Sequence, residues 1–98
     1  MRKVIFSKTA ADKLDELLTF LEREWSAKVK QNFISKLDNA VNQIKKYPLC
    51  AEKSDLQSGL HRLVITKQTT IYYTHNENRI FIVAIFDTRQ NPKKLKLK

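Results

Sequence analysis

His61-Arg62-Leu63-Val64-Ile65, Thr70-Ile71-Tyr72-Tyr73-Thr74 and Arg79-Ile80-Phe81-Ile82-Val83-Ala84-Ile85-Phe86-Asp87 are three runs of β-branched and aromatic residues, set close together near the end of the chain. Such residues favour a pleated, half-buried surface, so each run reads as a strand. The joints near Lys67-Gln68 and at Asn76-Glu77-Asn78 suit hairpin turns, which makes the pairing an antiparallel meander. The third run is apolar at successive positions, as expected of a central strand covered on both sides.

Upstream the hydrophobic period changes from strand-like to helical. Leu14, Leu17, Leu18, Leu21 and Trp25 form one stripe, and Thr9-Ala10-Ala11-Asp12 reads as its start, a threonine cap with an acid three residues on. On this reading Trp25 closes the stripe and belongs to the core. Ser26 can cap a second helix, whose stripe is Val29, Phe33, Leu37, Ala40, Val41 and Ile44, and Pro48 stops it. So short a link predicts an antiparallel helical hairpin with both stripes facing one sheet. Val4-Ile5-Phe6 is a short strand that can join the sheet beside the last strand. The fold expected is α+β, in the order β-α-α-β-β-β, an antiparallel sheet with the N-terminal helical hairpin packed on one face. Residues 48–60 are expected as a connection at the mouth of the sheet, with at most a turn of structure. Residues 1–92 form a single domain in this scheme and residues 93–98 a basic tail.

Ninety-eight residues suffice for one core. Nineteen basic and ten acidic residues give a net charge of +9, which favours polyanionic or acidic partners. The lone Cys50 excludes an internal disulfide, and no His/Cys spacing suits a metal. With Gly59 as the sole glycine, a phosphate-cradling loop is excluded, and no cofactor is implied. The opening Met1-Arg2-Lys3-Val4-Ile5-Phe6-Ser7 is too short in apolar residues for a signal peptide, and no run is long enough to span a bilayer. A reduced, cytoplasmic protein with no membrane partner is the expectation.

Arg62 and Arg89 stand at strand ends, and guanidinium groups bind phosphate in a bidentate manner. Converging, they would stabilise charge developing on a scissile phosphate. Against this, the first and third strands of a meander run parallel, so a start and an end lie a strand length apart; either arginine can instead be solvated or pair with an acid such as Asp55 or Asp87. Glu52 and Lys53 are the candidates for a general base on a ribose hydroxyl. His61 points to the sheet face opposite Arg62 by strand alternation, and His75 at a turn is expected to face solvent. Tyr72 and Tyr73 point to opposite faces, so at most one joins the helix-covered core; the other, Tyr72 among the candidates, can stack a base or pack under the connection. Lys93, Lys94 and Lys96 of the tail either contact phosphate or simply solubilise a terminus.

Taken together, the strand-helix-helix start, Pro48, His61-Arg62-Leu63-Val64, Ile71-Tyr72-Tyr73 and Phe86-Asp87-Thr88-Arg89-Gln90-Asn91-Pro92 resemble the RelE/ParE superfamily of type II toxin–antitoxin toxins. The resemblance covers nearly the whole chain. It implies a growth-inhibiting toxin, neutralised by a cognate antitoxin that wraps around it. RelE-like members cleave mRNA on the ribosome, and the resemblance then gives Arg62 and Arg89 the phosphate, with Lys53 or Glu52 as base. The C-terminal tyrosine or histidine of many such nucleases is absent here. ParE-like members instead poison DNA gyrase without nuclease chemistry. Cleavage of mRNA is the expectation that gives the arginines a role, and gyrase inhibition is the alternative.

Overall fold

The computed structural model describes residues 2–53 and 59–89. The tail lysines Lys93, Lys94 and Lys96, with Pro92 and Asp55, lie outside them. Strand β1 (Lys3–Phe6) leads into helices α1 (Lys8–Glu24) and α2 (Ala27–Lys46), followed by β2 (Glu52–Lys53), β3 (His61–Val64), β4 (Thr69–His75) and β5 (Arg79–Asp87). The sheet order is β1-β5-β4-β3-β2. The meander is antiparallel as expected. β1 lies beside β5 but runs parallel to it, so the sheet is mixed. β2 was not legible as a strand, because two residues carry no period; it pairs antiparallel with β3 along the outer edge.

The helical hairpin covers one sheet face. Leu17 and Leu21 of α1 and Ile44 of α2 are fully buried against Ile71, Tyr73, Ile80 and Ile82. Each such side chain contributes about 1.5–3 kcal/mol of apolar transfer free energy. The other face has no helix on it, and Ile5, Val64 and Val83 there are 38–52% exposed. The apolar run of β5 therefore has a different origin from cover on both sides: a bulge. Ala84 pairs with Tyr72 and Ile82 with Tyr73, which leaves Val83 without a β4 partner. The extra residue reverses the alternation, so Ile80 and Ile82 before it and Ile85 and Asp87 after it are all buried.

Ser7 joins this irregularity to the first helix. Its hydroxyl accepts from the Ala10 amide at 3.0 Å and donates to the Val83 carbonyl at 3.2 Å. One side chain thus caps α1 and satisfies a carbonyl that the bulge has displaced from the ladder. Ser7, not Thr9, is the N-cap; Thr9 lies inside the helix. Ser26 caps α2 as expected, accepting from the Val29 amide at 3.1 Å. Trp25 is also corrected: it is 56% exposed. Its backbone leaves helical geometry at φ −118 and ψ −84, so the phase of the α1 stripe does not carry to it.

Ser7→Ala is expected to destabilise the fold by about 1–2 kcal/mol, and Thr9→Ala by less than about 0.5 kcal/mol. Urea unfolding checks this, and equal effects would contradict the assignment of the cap.

Candidate functional site

The end of β5 is built around a buried carboxylate. Asp87 pairs with Thr69 across the β4–β5 ladder, on the helix-covered face, and accepts a short hydrogen bond from the Thr69 hydroxyl. Two residues on, the chain turns back and Arg89 binds the same carboxylate. Its Nη2 lies 2.8 Å from Asp87 Oδ2, its Nε 3.2 Å from Oδ1, and its backbone amide donates to Oδ1 at 2.9 Å. Nη2 also donates to Thr69 Oγ1 at 3.4 Å. The guanidinium carbon sits 5.8 Å from the centre of the Trp25 ring, so the arginine is held between a carboxylate and an aromatic face. Burial pushes the Asp87 carboxyl up, but the hydrogen bonds from Arg89 and Thr69 outweigh it and hold the group below its ordinary value of 3.8.

Arg62 lies elsewhere. It pairs with Tyr72, which pairs with Ala84, so all three share the helix-free face. Arg89 is anchored on the other face at Asp87, three residues beyond Ala84, or roughly 10 Å along the strand, with β4 lying between β3 and β5. The two arginines are not brought together. Glu52 and Lys53 do come beside Arg62 and His61, as their register partners in β2. The described residues thus place Arg62, Glu52 and Lys53 at one edge of the sheet and Arg89 at a separate corner. Tyr72 is 8% exposed and meets Phe86 edge-on at 5.7 Å, so its ring is largely covered.

Beneath the chain that follows α2 lies an aromatic stack. Tyr73 is fully buried, and its hydroxyl donates to the Pro48 carbonyl at 2.5 Å. His61 stacks on Tyr73 with centroids 5.2 Å apart, and its Nδ1 is 3.3 Å from the Ala51 carbonyl. His61 therefore does face away from Arg62. His75 is half-buried rather than solvent-facing, with its ring 5.2 Å from that of His61. Burial, then the neighbouring His61 and Arg2, lower the His75 pKa below 6.5. Burial raises the Tyr73 pKa to about 12, so the phenol is neutral at physiological pH. Among the described residues no group of three or more His, Cys, Asp or Glu side chains could hold a metal ion.

A two-helix hairpin on one face of a small mixed sheet is the fold of the RelE/ParE class of toxins. A family model described as "ParE toxin of type II toxin-antitoxin system, parDE" matches residues 4–92, and the chain belongs to that family. No curated protein matches it in sequence. Among solved structures, the fold is similar to one titled as the chromosomal ParDE TA system from P. aeruginosa, with TM-score 0.72, 13% identity and coverage of 89% of this chain and 96% of that one. A YoeB/ParE toxin from Agrobacterium tumefaciens aligns with TM-score 0.61 at 15% identity, covering 87% and 96% of the two chains. The E. coli DinJ–YafQ toxin–antitoxin complex contains a chain aligning with TM-score 0.63 at 7% identity, over 92% and 96%. At such identities these likenesses show the fold. No helix among the described residues is long and apolar enough to cross a membrane.

Because Asp87 is nearly inaccessible, Arg89→Ala would strand a buried charge and is expected to cost about 3–5 kcal/mol in urea unfolding; unchanged stability would contradict the ion pair. The pH dependence has two parts. His75 takes up its proton more readily unfolded than folded, so stability is complete above pH 6.5 and falls as the pH drops below it. The depressed Asp87 pKa adds stability that is present above pH 3.8 and is lost as the pH falls through the folded value. Thermal melts of the native chain and of His75→Gln should separate the two, the variant losing the decline just below pH 6.5 and keeping the acid one.

Proposed function

We propose that this ParE-family toxin inhibits growth by binding DNA gyrase, as a protein-binding inhibitor rather than as a nuclease. The observation that carries this reading is the separation of Arg62 from Arg89. Cleavage by attack of a ribose 2′-hydroxyl needs cationic groups converging on one phosphate. Here Arg89 is committed to Asp87, Thr69 and Trp25, and Arg62 projects from the opposite sheet face. Such an arrangement favours surface recognition over phosphate chemistry, and the family match to a ParE model supports the same choice.

A cognate antitoxin is the partner that the family membership supports. A net charge of +9 suits an acidic segment that folds as it binds, with charge attraction speeding the encounter. The helix-free sheet face, with Val64 near Arg62 on β3 and Val83 and Ile5 exposed farther across the sheet, supplies apolar and cationic surface for that purpose.

A supercoiling assay with purified gyrase, relaxed plasmid and ATP tests the target. The expected result is loss of supercoiling with added toxin and recovery when antitoxin is added, while a reporter mRNA in a reconstituted translation reaction stays intact. New mRNA 5′ ends that require ribosomes, with supercoiling unaffected, would overturn the reading in favour of ribosome-dependent cleavage.

A further inference from the structure

The outer face of α2 differs from an ordinary solvated helix face. Five of its exposed residues are carboxamides: Gln31, Asn32, Asn39, Asn42 and Gln43. Asparagine is a poor helix former whose side chain competes for backbone hydrogen bonds, so three of them within an exposed helix oppose local stability. Lys28, Ser35, Asn39, Asn42 and Lys46 fall in one stripe about 60° wide at 3.6 residues per turn, with its end lysines about 27 Å apart. α2 carries five lysines against the single acid Asp38, whereas α1 carries five acids, Asp12, Asp15, Glu16, Glu22 and Glu24. The basic excess of the hairpin is therefore confined to one helix.

We propose that the solvent face of α2 binds duplex DNA, seating the helix in the major groove. This activity goes beyond the gyrase reading and does not depend on it. The chemistry fits in three respects. Carboxamides both donate and accept, and Asn or Gln pairs in a bidentate manner with the adenine edge, while lysines meet phosphate or guanine. The major groove of B-DNA is wide enough for a helix, whereas that of A-form RNA is too deep and narrow for side chains to read. A protein-docking face, by contrast, centres on aromatic, Met and Arg side chains, and the exposed positions of α2 include no aromatic, Met or Arg. Along one flank a groove between α2 and the β3–β4 turn is lined by Asn32, Lys36, Thr66 and Gln68, with Lys67 exposed at the same turn. These lysines lie where a backbone strand bordering the seated helix would run.

The test is fluorescence anisotropy of the full chain, without gyrase, on a labelled DNA duplex of mixed sequence across a salt series. Asn39→Glu with Asn42→Glu keeps the helix well formed and should weaken binding about ten-fold or more, since repulsive carboxylates replace paired carboxamides. Thr9→Glu with Thr19→Glu changes the net charge equally on α1 and should weaken it by less than about three-fold. Lys28→Ala and Lys46→Ala should each lower the salt slope by about 0.9. Circular dichroism should show unchanged helix content in every variant. The proposal is overturned if the duplex is not bound, if the α1 and α2 pairs weaken binding equally, or if deleting residues 93–98 abolishes binding that the α2 pair leaves intact. Binding of an RNA duplex or single strand as tight as that of DNA, with the same response to the α2 pair, would also overturn it.

Discussion

A carboxylate with almost no access to water must be answered by fixed donors, and in this chain Asp87 is answered by Arg89. The Val83 bulge places Asp87 on the covered face, where an unbulged strand in phase with Ile80 and Ile82 would have turned it outward. Once buried, the carboxylate needs a cation and further donors, and the arginine two residues on supplies both a guanidinium and a backbone amide. The turn after β5 is fixed by that requirement. It carries Arg89 over Trp25 and so ties the last strand to the junction between the helices.

The same interaction bears on function. An arginine that a sequence motif offers for phosphate chemistry is here held by a carboxylate, a threonine and an indole. Arg62, on the helix-free face, lies in the ladder between Glu52 of β2 and Tyr72 of β4, away from Arg89. A surface so divided suits contact with macromolecules at several places: an antitoxin on the open sheet face, and a duplex on α2. Stability and recognition draw on different residues, since the core stripe of α2 and its carboxamide stripe lie on opposite sides of one helix.

Much of the fold was legible in the sequence because long periodic elements declare themselves. The Leu17–Leu21 and Phe33–Leu37–Ile44 stripes, the Ser26 cap and the meander read directly from residue type and spacing. The features that escaped are those where one residue breaks a period. Val83 makes β5 look apolar on both sides, and only the pairing shows the inserted residue. Ser7 could not be separated from Thr9 as a cap, since both are hydroxyl residues at the edge of one helix. Trp25 continued the stripe in sequence but not in backbone geometry. For the candidate site, the parallel relation of β3 and β5 already set Arg62 and Arg89 far apart, and Asp87 was among the acids able to pair with either. Their assignment to opposite faces was hidden, because it depends on the turn after β5.

The pairing of Asp87 with Arg89 is measured most directly by a double-mutant cycle in urea unfolding, using Asp87→Asn, Arg89→Gln and the two combined. A coupling on the order of 2–3 kcal/mol is predicted, because each partner satisfies a charge the other leaves buried. A coupling near zero would mean that Arg89 is not held by Asp87, returning it to the surface as a group available to phosphate.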